Sequence, residues 1–145
     1  MKTSFTAGKH EEEAIKSFVV CAKQERLLSF VSNPKNRRKF THELANRGVI
    51  DKRFATSVPW KVDPALELWA RRLQGIATIG QMLRSKGAGP TCWVISENPS
   101  LDGREMELQP VLEEVVGSGN ATILSCLPGK LAYFNEEHES LLLER

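Results

Sequence analysis

The sequence predicts a single α+β domain: an N-terminal layer of three helices packed on a small mixed sheet of three to four strands. Three observations carry this. A helical apolar stripe runs from Leu66 to Leu83, the periodicity switches to β-branched and aromatic residues after Pro90, and strand, helix and strand follow one another between Thr91 and Leu127. The chain of 145 residues is one domain's worth, with 1–87 as its helical part and 88–145 as a β-α-β-β-β part. Hydrophobic residues at 41% and charged residues at 26% exclude disordered, collagen-like and membrane-spanning classes.

The first helix is expected from about His10 to Val31. Ile15, Phe18, Val19 and Ala22 share one face, whereas Leu27, Leu28, Phe30 and Val31 fall on another, so this helix is either bent or contacted on two sides. Ser32-Asn33-Pro34 stops it and starts a second, with Asn33 as N-cap and Pro34 at the first helical position. That helix ends near Arg47, where Gly48 suits a left-handed residue, and Phe40 and Leu44 are its buried pair. Asp63-Pro64 starts the third, whose stripe is Leu66, Trp69, Ala70, Leu73, Ile76, Ala77, Gly80 and Leu83. Gly80 on the stripe marks a close approach of another backbone, and Trp69 and Trp93 are assigned to the core.

Thr91 to Ser96 is a strand with apolar residues on both faces, as expected of one covered on both sides. Leu108, Val111, Leu112, Val115 and Val116 form a helical stripe closed by Gly117-Ser118-Gly119. Asn120 to Leu127 is a second strand, Pro128-Gly129 a type II turn, Leu131 to Phe134 a third strand and Ser140 to Leu143 a fourth. Strand, helix and strand make a βαβ unit, and hairpins follow.

The N-terminus runs into Glu11, Glu12 and Glu13 without the apolar stretch of a secretory signal, and three cysteines (Cys21, Cys92, Cys126) form no C-x-x-C pair. A reducing cytoplasm, with all three thiols free and buried, is the expectation. His42-Glu43-Leu44-Ala45-Asn46 has Asn where a zinc-protease helix needs its second histidine, and His10, His42 and His138 share no ligand spacing with the cysteines. No metal and no cofactor is therefore expected.

The net charge of +2 hides an uneven layout. Residues 1–96 carry 17 Lys+Arg against 8 Asp+Glu, and residues 97–145 carry 3 against 10. Between Lys35 and Arg53 stand seven basic residues (Lys35, Arg37, Arg38, Lys39, Arg47, Lys52, Arg53) against Glu43 and Asp51. Such a stretch suits a solvated face complementing the acidic third of the chain, an acidic partner, or a phosphate backbone, although only Phe40 and Phe54 offer stacking. The polar connection from Glu97 to Glu107 is the other candidate. In a parallel crossover it would leave the carboxyl end of a strand, where Glu97, Asp102 and Glu105 are weak candidates for acid/base work and Arg104 for orienting an anion. Asp102-Gly103 is equally a plain turn, and Glu105 and Glu107 equally complement a helix N-terminus.

The functional expectation is a small cytoplasmic, non-catalytic binding or regulatory protein. Its surface is Arg37, Arg38, Lys39, Arg47 and Arg53, with Trp60 as an interface anchor, and its partner an acidic protein or a second copy in a homodimer. Nucleic-acid binding through Lys35 to Arg53 and a small enzyme with a carboxylate site between Glu97 and Glu107 are the alternatives. No membrane partner is expected.

Overall fold

A computed structural model describes residues 3–58 and 65–145, with side chains from residue 8 onward. Trp60 and the Asp63-Pro64 start signal lie outside the described residues.

Helix α1 (Thr3–Phe18) and helix α2 (Cys21–Val31) replace the expected single helix. The chain breaks at Val19-Val20, where Val20 N–H donates to Val49 O (2.9 Å) and Val19 bridges Ile50. Two apolar faces on one run thus reflect two helices meeting at an angle, and Ala22 and Cys21 are exposed rather than buried. Asn33 caps a 3-10 turn at Pro34–Asn36 by accepting from Lys35 N–H, and helix α3 (Arg37–Glu43) follows, burying Phe40 and, just past its end, Leu44. Gly48 takes the left-handed conformation expected of it (φ +78°).

Strand β1 (Ala55–Ser57) comes next, inside what was expected to be purely helical chain. Helix α4 (Leu68–Ser85) buries Gly75, Ile76, Ile79, Gly80 and Leu83, but its first turns are bare. Trp69 is 68% exposed, with Leu68 and Leu73 beside it, so the assignment of Trp69 to the core is corrected. An ideal Cβ at Gly80 would stand 3.2 Å from the Arg84 guanidinium and 3.4 Å from the Leu112 side chain, so the close neighbours there are side chains rather than a backbone.

Strands β2 (Thr91–Ser96) and β3 (Arg104–Glu107), helix α5 (Leu108–Val115), and strands β4 (Thr122–Leu127), β5 (Leu131–Asn135) and β6 (Ser140–Glu144) complete the chain. They build one six-stranded sheet in the order β1-β6-β5-β4-β2-β3, with every pairing antiparallel. The class is α+β as expected; among the described residues four helices precede β2 where three were expected, α5 is the helix expected after it, and the sheet has six strands and is antiparallel instead of mixed.

The βαβ unit is overturned by β3. Gly103 (φ +73°) donates to Val94 O at 2.8 Å and turns the chain back, so that Arg104 to Glu107 pairs with Val94 to Thr91. This reversal consumes the crossover, and β4 then enters antiparallel to β2. Residues Arg104-Glu105-Met106-Glu107 read as a loop because an edge strand buries little and is protected by charge.

Alternation of side chains divides the core in two. Ile95, Ile123, Ala132, Phe134, Leu141 and Leu143 pack on α1, α2 and α3. Val94, Leu124, Leu131, Tyr133 and Leu142 pack on α4 and α5. The sheet is therefore sandwiched between two helical layers, which explains why its strands are apolar on both faces. No helix among the described residues is long and apolar enough to cross a membrane.

Candidate functional site

The basic stretch does not form one continuous surface. Arg37, at the first position of α3, points inward. Its Nε and Nη2 donate to the two carboxylate oxygens of Asp102 (2.8 and 2.7 Å), and its Nη1 donates to Glu11 Oε2 at 2.7 Å. Burial works against its charge, but the bonds to Asp102 and the field of Glu11 outweigh it and hold the guanidinium above its ordinary range. Arg53 chelates Asp51 and lies over the Phe54 ring, and Lys52 pairs with Glu139. Arg38, Lys39 and Arg47 are exposed and have no carboxylate partner among the described residues. Arg38 and Lys39 border a shallow hollow of about 300 Å³ shared with Thr41, His42 and Glu97.

The connection from Glu97 to Glu107 is also dispersed. Glu97 Oε1 accepts from Ala121 N–H at 2.8 Å while its Oε2 contacts His42 Nδ1 at 3.1 Å, which ties α3 to the β4 end of the sheet. Asp102 is engaged by Arg37 and by Ser96 N–H (2.9 Å). Arg104 and Glu105 stand on β3, exposed, with Glu105 accepting from Thr91 Oγ1 at 2.7 Å. None of the four carboxylates from Glu97 to Glu107 faces another across a cavity, so the geometry for a general acid/base pair is missing among the described residues. Cys92 is buried, and burial pushes its thiol far above the ordinary range, so it offers no thiolate at neutral pH.

What sequence reasoning missed is Glu11. It stands on α1 with 1% of its side chain exposed, on the same stripe as Ala14, Ile15 and Phe18. That placement was the available signal: a carboxylate three, four and seven residues before buried apolar positions has to be buried with them. Its Oε2 accepts from Arg37 Nη1 and from Trp93 Nε1 (2.8 Å), while Oε1, equally buried, has no donor among the described residues. A buried acceptor without a donor costs about 1–3 kcal/mol. Trp93, on the α1 side of β2, stacks on His10 with ring centroids 5.6 Å apart, and His10 Nδ1 meets Ser125 Oγ at 2.9 Å.

This network lines a cleft of about 430 Å³ between α1, the end of α2 and the β2–β3 turn. Phe30, Val31, Pro34 and Trp93 give it apolar walls, and Gly8 and Gly103 leave room. Its charged lining is Glu11, Asp102 and Arg37, one negative charge in excess.

No protein-family model, curated protein or solved structure matches the chain. Its function has to be read from these surfaces. No group of three or more His, Cys, Asp or Glu side chains among the described residues is placed to hold a metal ion.

Proposed function

We propose that this protein is a non-catalytic binding module that holds an acidic protein partner on the outer face of α3. One observation carries the reading. After Arg37, Lys52 and Arg53 are neutralised within the fold, Arg38, Lys39 and Arg47 remain on one exposed stretch without an internal carboxylate, beside the hollow closed by His42 and Glu97. Exposed cations grouped on one stretch of chain without internal carboxylates are a surface that suits an external anion.

A protein is favoured over nucleic acid by the state of the aromatic rings. Phe40 is buried, and Phe54 is covered by the guanidinium groups of Arg53 and Arg145, so neither residue offers a face for base stacking. The acidic end of a second copy is the other partner this surface suits.

Titrating the protein with a glutamate-rich peptide at low and physiological salt tests the proposal. Binding is expected to weaken as salt rises and to fall about tenfold when Arg38, Lys39 and Arg47 are changed to Ala together. Equal or tighter retention of unrelated RNA or DNA, lost in the same variant, transfers the surface to nucleic acid. Indifference of peptide binding to the triple substitution overturns the reading, and light scattering over a concentration series identifies self-association.

A further inference from the structure

We infer that Cys92 and Cys126 form an oxidisable dithiol, a site where a low-molecular-weight disulfide converts two facing thiols into a cross-strand disulfide between β2 and β4. The ladder places them. Trp93 pairs with Ser125, so one step further along the two strands Cys92 stands opposite Cys126. Glu97 N–H donates to Ala121 O at 2.9 Å, which makes the odd-numbered residues of β2 the hydrogen-bonded partners of β4 and leaves Cys92 and Cys126 a non-hydrogen-bonded pair. Pairs of that class bring Cα atoms to about 4.5 Å, within the roughly 4.4–6.8 Å that a disulfide spans. Ser96 and Thr122, further along the same ladder, belong to the same class, and their hydroxyl oxygens are 2.7 Å apart.

Both side chains belong to the same face. Cys92 is part of the core under α4 and α5, and Cys126, half-buried, packs against it. On its other side β4 bulges between Ser125 and Leu127, so β5 does not hold Cys126 in register, and its Sγ makes only a weak contact with Leu124 O at 3.8 Å. Burial, and after it the field of Cys126, raise the Cys92 thiol, while burial pushes Cys126 up to about 12. Thiolates are therefore scarce and exchange is slow, but the disulfide is neutral and suits apolar surroundings. Cys126, the more accessible, attacks one sulfur of the reagent and expels the other as a thiol that carries off the Cys126 proton. Cys92 then attacks Cys126 Sγ and expels the second thiol with the Cys92 proton, so two protein sulfurs are oxidised and one reagent disulfide is reduced to two thiols. The pair lies across the sheet from α3, and neither reading depends on the other.

Buffers of graded reduced and oxidised glutathione test this in a Cys21→Ser background, since Cys21 is exposed and pairs readily between chains. Oxidising the folded protein and refolding the reduced chain in the same buffer approach one end point from both sides, so slow access to buried thiols does not decide the outcome. The cross-link is read as the loss of two hydrogens in the intact mass and as joined Cys92 and Cys126 fragments in a non-reducing digest. A bond that fits the native ladder and the fold stabilise each other by the same factor. The effective concentration of the pair is therefore expected to be higher, by about tenfold or more, in the folded protein than in the chain denatured by guanidinium. Adding Cys92→Ser or Cys126→Ser leaves one thiol and is expected to abolish the internal cross-link. A glutathione adduct on Cys126 in place of the cross-link, or an effective concentration no higher folded than denatured, overturns the inference.

Discussion

Arg37 stands between two carboxylates, and its removal strands both. Glu11 is the more exposed to this loss energetically because it is the more buried. Replacing Arg37 with Met is expected to destabilise the protein by about 3–5 kcal/mol, measured by urea denaturation, since an uncompensated buried charge remains. Adding Glu11→Gln to that background is expected to recover part of the loss. Gly8 behaves oppositely: it lies inside α1 with open space around it, and Gly8→Ala is expected to raise stability by about 0.5–1 kcal/mol in the same assay. His10 carries a pH dependence. Burial lowers its pKa from 6.5, against the opposing pull of Glu11 and Glu105 and with a smaller contribution from Lys9. The unfolded chain takes the proton first, so the stability His10 contributes is complete above pH 6.5 and is lost as pH falls toward and through the folded value. His10→Gln is expected to flatten that part of the melting-temperature profile relative to wild type. Steeper loss in the variant than in wild type below that pH contradicts the assignment.

At the scale of elements, the β4–β5 hairpin shows how a turn is fixed by its surroundings. Lys130 N–H closes on Leu127 O (2.9 Å), Pro128 and Gly129 fill the central positions, and Gly129 adopts φ +72°, as a type II turn requires. A Cβ there would also stand 2.9 Å from Glu13 Oε1 and 3.0 Å from Ser17 Oγ on α1. Gly129→Ala is therefore expected to cost about 1–3 kcal/mol by thermal or urea unfolding. This turn was legible in the sequence because Pro-Gly chemistry is local. The strands β2, β4, β5 and β6 and the stripe of α5 were legible for a similar reason, their periodicity surviving without knowledge of neighbours. Edge strands were not: β1 is three residues long, and β3 alternates charge with charge apart from Met106. The stripe of α4 announced a helix but not its cover, and Trp69 shows that apolar periodicity says nothing about how far the opposing surface extends. At the site, the basic stretch could be counted from the sequence, but which of its members turned inward depended on Asp102, 65 residues away from Arg37.

For the whole molecule, the opposite charges of the two parts meet at a few points of contact. Arg37 with Asp102, His42 with Glu97, Lys52 with Glu139 and Lys86 with Glu144 each join the basic part to the acidic part. Most of these are exposed and individually worth little, so the complementarity orients the two parts more than it stabilises them. Rigidity is expected to follow the sheet order instead. β5 is buried along its whole length and flanked by β4 and β6, whereas β1 and β3 form the edges. Amide hydrogen exchange is expected to be slowest in β4 and β5 and fastest in β1 and β3, and a protected β1 would contradict this order.

The place of β6 sets a schedule for biosynthesis. It is the last of the six strands to be made, yet it lies inside the sheet, and Ala55 of β1 has to wait for Leu143 before it has any strand to pair with. Until then the emerging polypeptide carries an unpaired edge on β5 and an orphaned β1, separated by most of the chain. Pairings this distant form slowly, and open edges recruit other chains. A chain halted before Ser140 is thus an aggregation-prone species rather than a smaller folded unit, and protection of the nascent sheet falls to whatever holds β5 until its final neighbour is released.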